Sequence, residues 1–499
     1  MTKPRLGEGK GRATRTPEEP ASRTTRTPAT GASARFSPHD DGEEHYEEVM
    51  RLAGAHADLP LEAVFKEDLL RLGLAFTPEA LRLAASTKPK AYFIFSFDMV
   101  PLTELPAAAL HAPEEIALVG GPHDLKRTIV SVRLNPSSPY RVEEQQGKLQ
   151  LMAGAQELCE VKLAPMPSAY ARELPGGKSM REVAPTIEWG YLIYLTVFRL
   201  CQYFGAEEEC KFCDINENFR QQRRAGRPYT QVKEIDDVLT ALEIIDEEER
   251  RQPARAAQAG EAPHAAANAG ATLPLEPATA YTLTGGSITT QLQGLSEIDF
   301  YCRYVTAIEK RFPGRWISKL VVQAHDADAV RRFDAAGVQI YHPNYEVWDP
   351  RLFEILCPGK QRLIGRTAWI ERILTAAEIM GPARVIPNFV AGVEMARPWG
   401  FERVEDALRS TGEGLEFFMS HGIVPRFTTW CPEKLSILGR NQGPAPLDYH
   451  LGLLRVWRDT IRRHRLPVPR GYGEPGVGRA IFSVSAFMDV LDESPRRGA

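Results

Sequence analysis

From about residue 185 onward, short apolar runs alternate with longer segments in which apolar residues recur at helical spacing. The runs predict strands, and the segments predict amphipathic helices. The predicted strands are 190–198, 280–284, 318–323, 339–342, 384–390 and 423–428. The predicted helices are 232–249, 295–311, 326–336, 367–380, 404–421 and 448–464. Strands that each lead into a crossover pair in parallel with right-handed connections, so we predict an α/β fold with a partial (β/α)6 barrel over 185–465.

The preceding region has a different pattern. Helical spacing at 45–54, 61–72 and 78–85 is followed by strand-like runs at 91–97, 128–134 and 149–152, with turn residues between them. This order predicts an N-terminal α+β accessory domain over residues 44–184.

Two stretches of low complexity interrupt the pattern. Residues 1–43 are rich in Arg, Thr, Pro and Gly without an apolar run, which predicts a disordered tail. Residues 252–279 are mostly Ala, Pro and Gly without an apolar stripe, which predicts a disordered surface insertion within the barrel. Residues 466–499 form a C-terminal extension.

Composition narrows the class of protein. A hydrophobic content of 43% supports a substantial core, and a net charge of −4 argues against a dedicated nucleic-acid binder. The longest apolar run, 190–198, is far shorter than the ~20 residues that cross a bilayer, so we expect no membrane association. Seven cysteines in 499 residues are too few for a disulfide scaffold and indicate a reduced, cytoplasmic compartment.

Three cysteines carry the clearest chemical signal. Cys201, Cys210 and Cys213 form a C-x8-C-x2-C motif directly after the first predicted strand of the barrel. Parallel α/β folds bind ligands at the carboxyl ends of their strands, and thiolates from one loop can hold a soft metal site. Iron–sulfur clusters usually take four cysteines, so three ligands leave one iron of a 4Fe-4S cluster open.

Two other interpretations of the motif stay open. The cysteines could be structural, or they could bind zinc with a fourth ligand such as His. No histidine lies within 25 residues of the loop, which weakens the zinc interpretation. The remaining thiols have no C-x2-C spacing and are predicted to be structural: Cys159, Cys302, Cys357 and Cys431. The pattern Gly471-x-Gly473-x-x-Gly476 follows no βαβ strand and predicts a loop rather than a dinucleotide site.

With its position and the aromatic Phe212 before the third cysteine, the motif resembles that of the radical S-adenosylmethionine (SAM) superfamily. Most members have C-x3-C-x2-C after the first barrel strand, so the eight-residue gap is a departure. The resemblance implies that Cys201, Cys210 and Cys213 bind a 4Fe-4S cluster and that SAM chelates the open iron.

Further segments resemble biotin-synthase-like members of the superfamily. Gly285, Gly286 and Ser287 after the second strand resemble the family's Gly-Gly-Glu segment, with Ser287 in place of the Glu, and imply backbone contacts to the SAM amino group. An ordinary glycine turn is the alternative. Asn344 and Glu346, after the fourth strand, resemble the Asn-x-Glu segment that contacts the ribose or amino group. A capping turn before Pro350 is the alternative.

Two more matches lie toward the C-terminal end of the barrel. Arg372 stands where the family's arginine pairs with the SAM carboxylate, although a solvated helix face explains it equally well. Gly392 and Glu394 follow the fifth strand and resemble the element that packs against adenine.

The resemblance covers about residues 185–430 and implies an enzyme that cleaves SAM to a 5′-deoxyadenosyl radical for C–H activation. The implied partners are a small-molecule substrate and an electron donor such as flavodoxin or ferredoxin, although a peptide substrate stays open. The accessory region has no Asp-x-His-x-x-Gly run typical of cobalamin binding, and the chain has no G-x-S-x-G elbow or phosphate loop. The alternative function is a non-catalytic Fe–S or zinc-binding α/β protein.

Overall fold

The N-terminal part of the chain combines three helices with a six-stranded sheet. A computed structural model of the protein describes residues 40–227, 229–259 and 271–491. The first elements are α1 (Asp40–Ala55), α2 (Leu61–Leu72), β1 (Ala75–Phe76), α3 (Pro78–Ala84), β2 (Glu115–Gly120), β3 (Leu125–Ser131), β4 (Tyr140–Gln145), β5 (Lys148–Ala153) and β6 (Gln156–Leu163). The strand order is β1-β4-β5-β6-β2-β3, and every pair except β1–β4 is antiparallel.

The predicted strand at 91–97 is wrong, because this segment has no regular secondary structure. Its alternating aromatic residues mimic a strand, but side chains of other elements satisfy its backbone instead of a neighbouring strand. The Asn218 amide and the Tyr229 hydroxyl donate to carbonyls of this segment, and the Ser96 N–H donates to Asp214. Tyr92 and Phe97 both have φ of 51°, which a strand does not allow.

Short elements connect this sheet to the barrel, and six strands then alternate with helices. The connecting elements are β7 (Glu173–Leu174), β8 (Lys178–Ser179), α4 (Met180–Val183) and β9 (Thr186–Ile187). The barrel elements are β10 (Leu192–Phe198), α5 (Ile215–Arg224), α6 (Ile235–Ala259), β11 (Ala280–Gly285), α7 (Glu297–Arg311), β12 (Ile317–Val322), α8 (Ala327–Ala336), β13 (Ile340–Pro343), α9 (Pro350–Leu356), α10 (Pro358–Leu363), α11 (Arg366–Met380), β14 (Asn388–Ala391), α12 (Val404–Ser420), β15 (Arg426–Thr429) and α13 (Leu447–His464).

The six strands β10 to β15 follow one another in space as they do in sequence. Strands β10, β11, β12 and β13 pair in parallel, and β14 pairs in parallel with β15. Two single parallel bridges, Tyr341–Val385 and Glu346–Phe389, join the β13 and β14 segments. Among the described residues β15 does not pair with β10, so the arrangement is a partial (β/α)6 barrel, as predicted.

Helices α7 and α8 of the barrel begin at capping side chains. Ser296 accepts a hydrogen bond from the Asp299 N–H at the start of α7, and Asp326 accepts one from Ala329 at the start of α8. Helix α6 extends to Ala259, eight residues into the predicted insertion. After the gap at 260–270, the Ala271 carbonyl accepts a hydrogen bond from the Leu163 N–H. The predicted disordered tail falls largely on residues 1–39, outside the described residues.

The N-terminal region closes the open side of the barrel. The Ser131 N–H of β3 donates to the Ser483 carbonyl, and the Thr429 N–H of β15 donates to the Val484 carbonyl, so residues 483–484 link the two sheets. On the β10 side, the Phe93 ring lies 4.3 Å from the Tyr194 ring, measured between centroids. No helix of the described residues is sufficiently long and apolar to span a membrane.

Candidate functional site

The three motif cysteines lie half-buried in the loop that leaves β10 at its carboxyl end. The Cys213 N–H donates to the Cys210 carbonyl, and the Cys201 N–H donates to the Asn216 side chain, so α5 and the loop support each other. Burial, together with the negative charge of Cys210, raises the pKa of Cys201 to about 11 and raises the pKa of Cys213 as well. These mutual effects show that the three thiols share one neighbourhood.

A fourth thiol adjoins them. Cys357 is fully buried at the end of α9, where the Lys211 N–H donates to the Leu356 carbonyl. A hydrogen bond from Cys357, and then the charge of Lys360, lower the pKa of Cys210. Sequence spacing had grouped Cys357 with scattered thiols, and only the approach of α9 to the loop shows otherwise. Cys159 is buried in β6, and Cys431 is buried after β15, where its thiol donates to the Phe97 carbonyl.

The chemistry of this site fits an iron–sulfur cluster, although its present conformation is not closed around a metal. Within the described ranges, no three His, Cys, Asp or Glu side chains are gathered closely enough to hold a metal ion. A cluster held by these cysteines would require their side chains to turn toward a common centre. The backbone N–H groups of Tyr203 and Ser287 partly offset the rise in the pKa of Cys201, and that of Ile215 partly offsets the rise for Cys213. Backbone N–H groups beside cysteine sulfurs suit an iron–sulfur site, where hydrogen bonds to the sulfurs tune the cluster.

The Gly-Gly-Ser segment touches the cysteine loop directly. A Cβ on Gly286 would lie 1.9 Å from the Leu200 carbonyl oxygen, and the Gln202 N–H donates to the Ser287 carbonyl at 2.9 Å. Glycine is therefore required for the crossing of two backbones, which an ordinary turn would not need. The same contact places Ser287 beside Cys201.

Asn344 and Glu346 also lie at this edge of the barrel. The Glu346 carboxylate is 2.5 Å from the Lys360 ammonium, and Lys360 also reaches the Asn344 carbonyl at 3.5 Å. Lys360 lowers the pKa values of Cys210 and Cys201 after larger causes, so its charge acts on the cysteine loop. The Asn344 Oδ1 atom is buried and has no hydrogen-bond partner among the described residues. An unsatisfied amide oxygen of this kind is available to a ligand donor.

The other predicted contacts are arranged differently. Arg372 donates to the Ala324 carbonyl at 2.9 Å, which places it just beyond the carboxyl end of β12. Glu394 instead accepts hydrogen bonds from Thr411 of α12 and Tyr449 of α13, and its carboxylate also holds the Gly392 N–H at 2.7 Å. The Glu394 side chain thus faces the outer helices and not the cysteine loop.

Two groups of residues that lie near the cysteine loop were not identified from the sequence. Phe93 and Ile94 of the accessory region form a buried cluster that the half-buried Phe95, Cys201 and Cys213 join. Their alternation suggested a strand, and nothing in the sequence indicates that they reach the barrel. The second group is a polar chain in which the Tyr203 hydroxyl donates to Gln323 and Gln323 donates to Glu297, which also bonds His325.

Comparison with known proteins yields only distant similarities. No family model and no curated protein matches the chain. Coproporphyrinogen III oxidase (HemN) from Escherichia coli, described as a radical SAM enzyme, is 12% identical with a TM-score of 0.27, over 38% of this chain and 41% of its own. This chain therefore matches only about two fifths of that structure. Methylornithine synthase (PylB) is 12% identical with a TM-score of 0.33, over 58% of this chain and 71% of its own. TM-scores this low assign neither fold nor activity to this chain.

Proposed function

We propose that this protein is a radical SAM enzyme that uses a 4Fe-4S cluster and SAM to activate a C–H bond of a small-molecule substrate. The observation that carries the proposal is the position of Cys201, Cys210 and Cys213 in one half-buried loop after the first of six consecutive strands. The loop lies where parallel α/β folds bind ligands. The chemistry that these groups supply when bound is reductive cleavage of SAM and hydrogen abstraction from an unactivated carbon.

The chain's own residues would bind and orient the cluster and SAM, and they would exclude water from the site. The three cysteines would hold the cluster, and the backbone at Gly285, Gly286 and Ser287 would meet the SAM amino group. Asn344 offers its unpartnered amide oxygen. Phe93 and Phe95 cover the cysteine loop with apolar surface, and such cover keeps water from a reactive site.

The remaining SAM contacts follow from their positions. The Arg372 guanidinium is suited to a carboxylate, and Glu346 keeps Lys360 beside the loop. The backbone at Gly392 would pack against adenine. The Glu394 carboxylate holds this turn by accepting a hydrogen bond from the Gly392 N–H. We expect a cytoplasmic protein reduced by a flavodoxin- or ferredoxin-like donor.

The test is anaerobic reconstitution of the parent beside Cys201→Ala, Cys210→Ala and Cys213→Ala, with Cys302→Ala of α7, whose thiol contacts the Arg332 carbonyl of α8, as a control. We expect the parent and the control to bind iron and sulfide and to form 5′-deoxyadenosine. The motif variants should do none of these. Retention of cluster and SAM cleavage in all three motif variants would refute the site.

A second candidate is a non-catalytic iron–sulfur or zinc protein. It is favoured by one observation, the contact of Cys357 with Cys210, because four thiols can saturate a cluster or a zinc ion. One zinc per chain without visible absorbance, or a cluster that never reacts with SAM, would support this candidate.

A further inference from the structure

The inward faces of the barrel strands carry several polar residues. Strand register and the alternation of side chains place Tyr194, Thr282, Lys319, His342, Asn388 and Arg426 on the inner face, beside apolar residues such as Leu192, Ile317 and Ile340. Alternate residues face the helices, as Tyr281 does through its hydrogen bond to Glu309 of α7 and Phe427 through its ring contact with Trp457 of α13. Structural barrel interiors are usually filled with branched apolar side chains. This interior combines apolar side chains with charged and polar ones.

The interior is also incompletely filled. Tyr194, Val321, Val390, Arg426 and Thr428 are each half-buried, while the outward-facing residues next to them in β10, β12, β14 and β15 are buried. Solvent therefore reaches the inner face of the sheet. At the carboxyl ends of the strands this face adjoins the half-buried Cys201 and Cys213.

Two cations lie at the opposite end of the same face. Lys319 is buried, donates to the Gly471 carbonyl at 2.8 Å and lies 4.1 Å above the Tyr472 ring. Arg426 faces the rings of Tyr472 and Phe482, each at 5.7 Å. Across the described part of the chain, no hydrogen bond or ion pair reaches its guanidinium, and its buried Nε has no partner.

The acidic group nearby does not neutralise the pair. Glu188 is buried within the electrostatic range of Lys319 and Arg426, but it forms no ion pair with either, and its Oε2 is also without a partner. Burial raises the pKa of Glu188 to about 7 and lowers the pKa of Lys319 to about 8. Near neutral pH the lysine is thus mainly charged, whereas Glu188 is partly neutral.

We propose that Arg426, assisted by Lys319, binds an oxyanion of the substrate, a carboxylate or a phosphate, inside the barrel at the end opposite the cysteine loop. A planar guanidinium fork matches either group with two parallel hydrogen bonds. A buried donor without a partner is costly, and a bound oxyanion would satisfy it. Calling this ligand the substrate rests on the proposed function. Binding of an oxyanion at Arg426 does not depend on that function.

The test uses the full-length protein, without and with its cluster, and two probes, inorganic phosphate and succinate. Binding is measured by isothermal titration and by the shift of the thermal midpoint against sodium chloride of equal ionic strength. The parent is compared with Arg426→Gln, with Arg426→Lys and with Arg331→Gln, a control that removes an exposed arginine of α8.

We expect the parent and Arg331→Gln to bind at least one probe, and Arg426→Gln to bind it at least about tenfold more weakly. If Arg426→Gln does not fold, the loss is read in Arg426→Lys, which keeps the charge without the fork. Binding of phosphate alone indicates a phosphorylated substrate, and binding of succinate alone indicates a carboxylate. No binding by the parent, or binding by both Arg426 variants as tight as that of the parent, would overturn the proposal. Binding without any cluster would sustain it even if the radical SAM function failed.

Discussion

The Lys360 ammonium lies 2.5 Å from the Glu346 carboxylate, and both side chains are buried beside the cysteine loop. Burial lowers the pKa of Lys360, but the charges of Glu346, Cys210 and Cys357 outweigh it, so the net shift is upward. The ammonium also lies 4.7 Å from the centre of the Trp369 ring. This lysine is therefore a countercharge held between a carboxylate and two thiols.

Removing one member of this pair should be costly. We expect Lys360→Met to lower the free energy of unfolding by ~3–5 kcal/mol, because Glu346 would be left buried and unpaired. The double variant Glu346→Gln with Lys360→Met should recover much of the loss. Chemical denaturation measures the free energy of unfolding of the single and the double variant. Arg331→Gln is the matched control, because it removes an exposed ion pair with Asp328 that contributes under about 1 kcal/mol. Equal losses in Lys360→Met and Arg331→Gln would contradict the structural role of the pair.

Cys357 separates the two candidate functions. If three cysteines hold the cluster, Cys357→Ala should retain the iron and sulfide of the reconstituted parent, because this thiol only contacts Cys210. Iron and sulfide analysis after desalting checks this, with Cys201→Ala as the variant expected to lose the cluster. Loss of the cluster in Cys357→Ala would mean four thiol ligands and no open iron, which argues for the non-catalytic iron–sulfur protein.

Gly286 permits the cysteine loop to cross the end of β11. A Cβ there would meet the Leu200 carbonyl oxygen at 1.9 Å and the Cys201 Cα at 2.5 Å, and both are backbone atoms that cannot turn aside. We expect Gly286→Ala to displace the loop, lower the unfolding free energy by ~1–3 kcal/mol and reduce cluster retention. Gly443→Ala is the control, since nothing lies within 4 Å of its added carbon. If the thermal midpoint and the iron content of Gly286→Ala equal those of the control, the two backbones do not require glycine at this crossing.

Glu394 should make stability depend on pH. Burial raises its pKa from 4.5 to about 7, so the folded protein holds this proton more tightly than the unfolded chain does. The stabilisation is complete below the unfolded value and is lost as pH rises through about 7. Each pKa unit corresponds to ~1.4 kcal/mol, so Glu394→Gln should gain up to about 3 kcal/mol over the parent at high pH and little near pH ~4.5.

Denaturation of the parent and Glu394→Gln across this pH range checks the expectation. Glu413→Gln, on the same helix as the Thr411 partner, serves as the control for a carboxyl without this buried network. A parent and variant that differ equally at every pH would mean that Glu394 stays charged in the fold. Retention of the cluster by Glu394→Gln is also expected, because its carboxylate faces α12 and α13.

The strand and helix alternation of the barrel was predictable because it depends on local periodicity. Apolar runs marked all six strands, and apolar residues at helical spacing marked the long helices between them. The exception at 91–97 is instructive. Its pattern is that of a strand, but distant side chains such as Asn218 and Tyr229 bind its backbone, and no local rule foresees them.

The sequence by itself determined the parallel barrel and the motif of Cys201, Cys210 and Cys213, because both depend on short-range spacing and on chain order. Tertiary structure alone decided what surrounds them. It brought Cys357 and Lys360 to the loop across more than one hundred residues, turned Glu394 away to the outer helices, and left Arg426 unpaired inside the barrel. Contacts of this kind arise from the packing of separate elements, and residues far apart in the chain carry no local record of it.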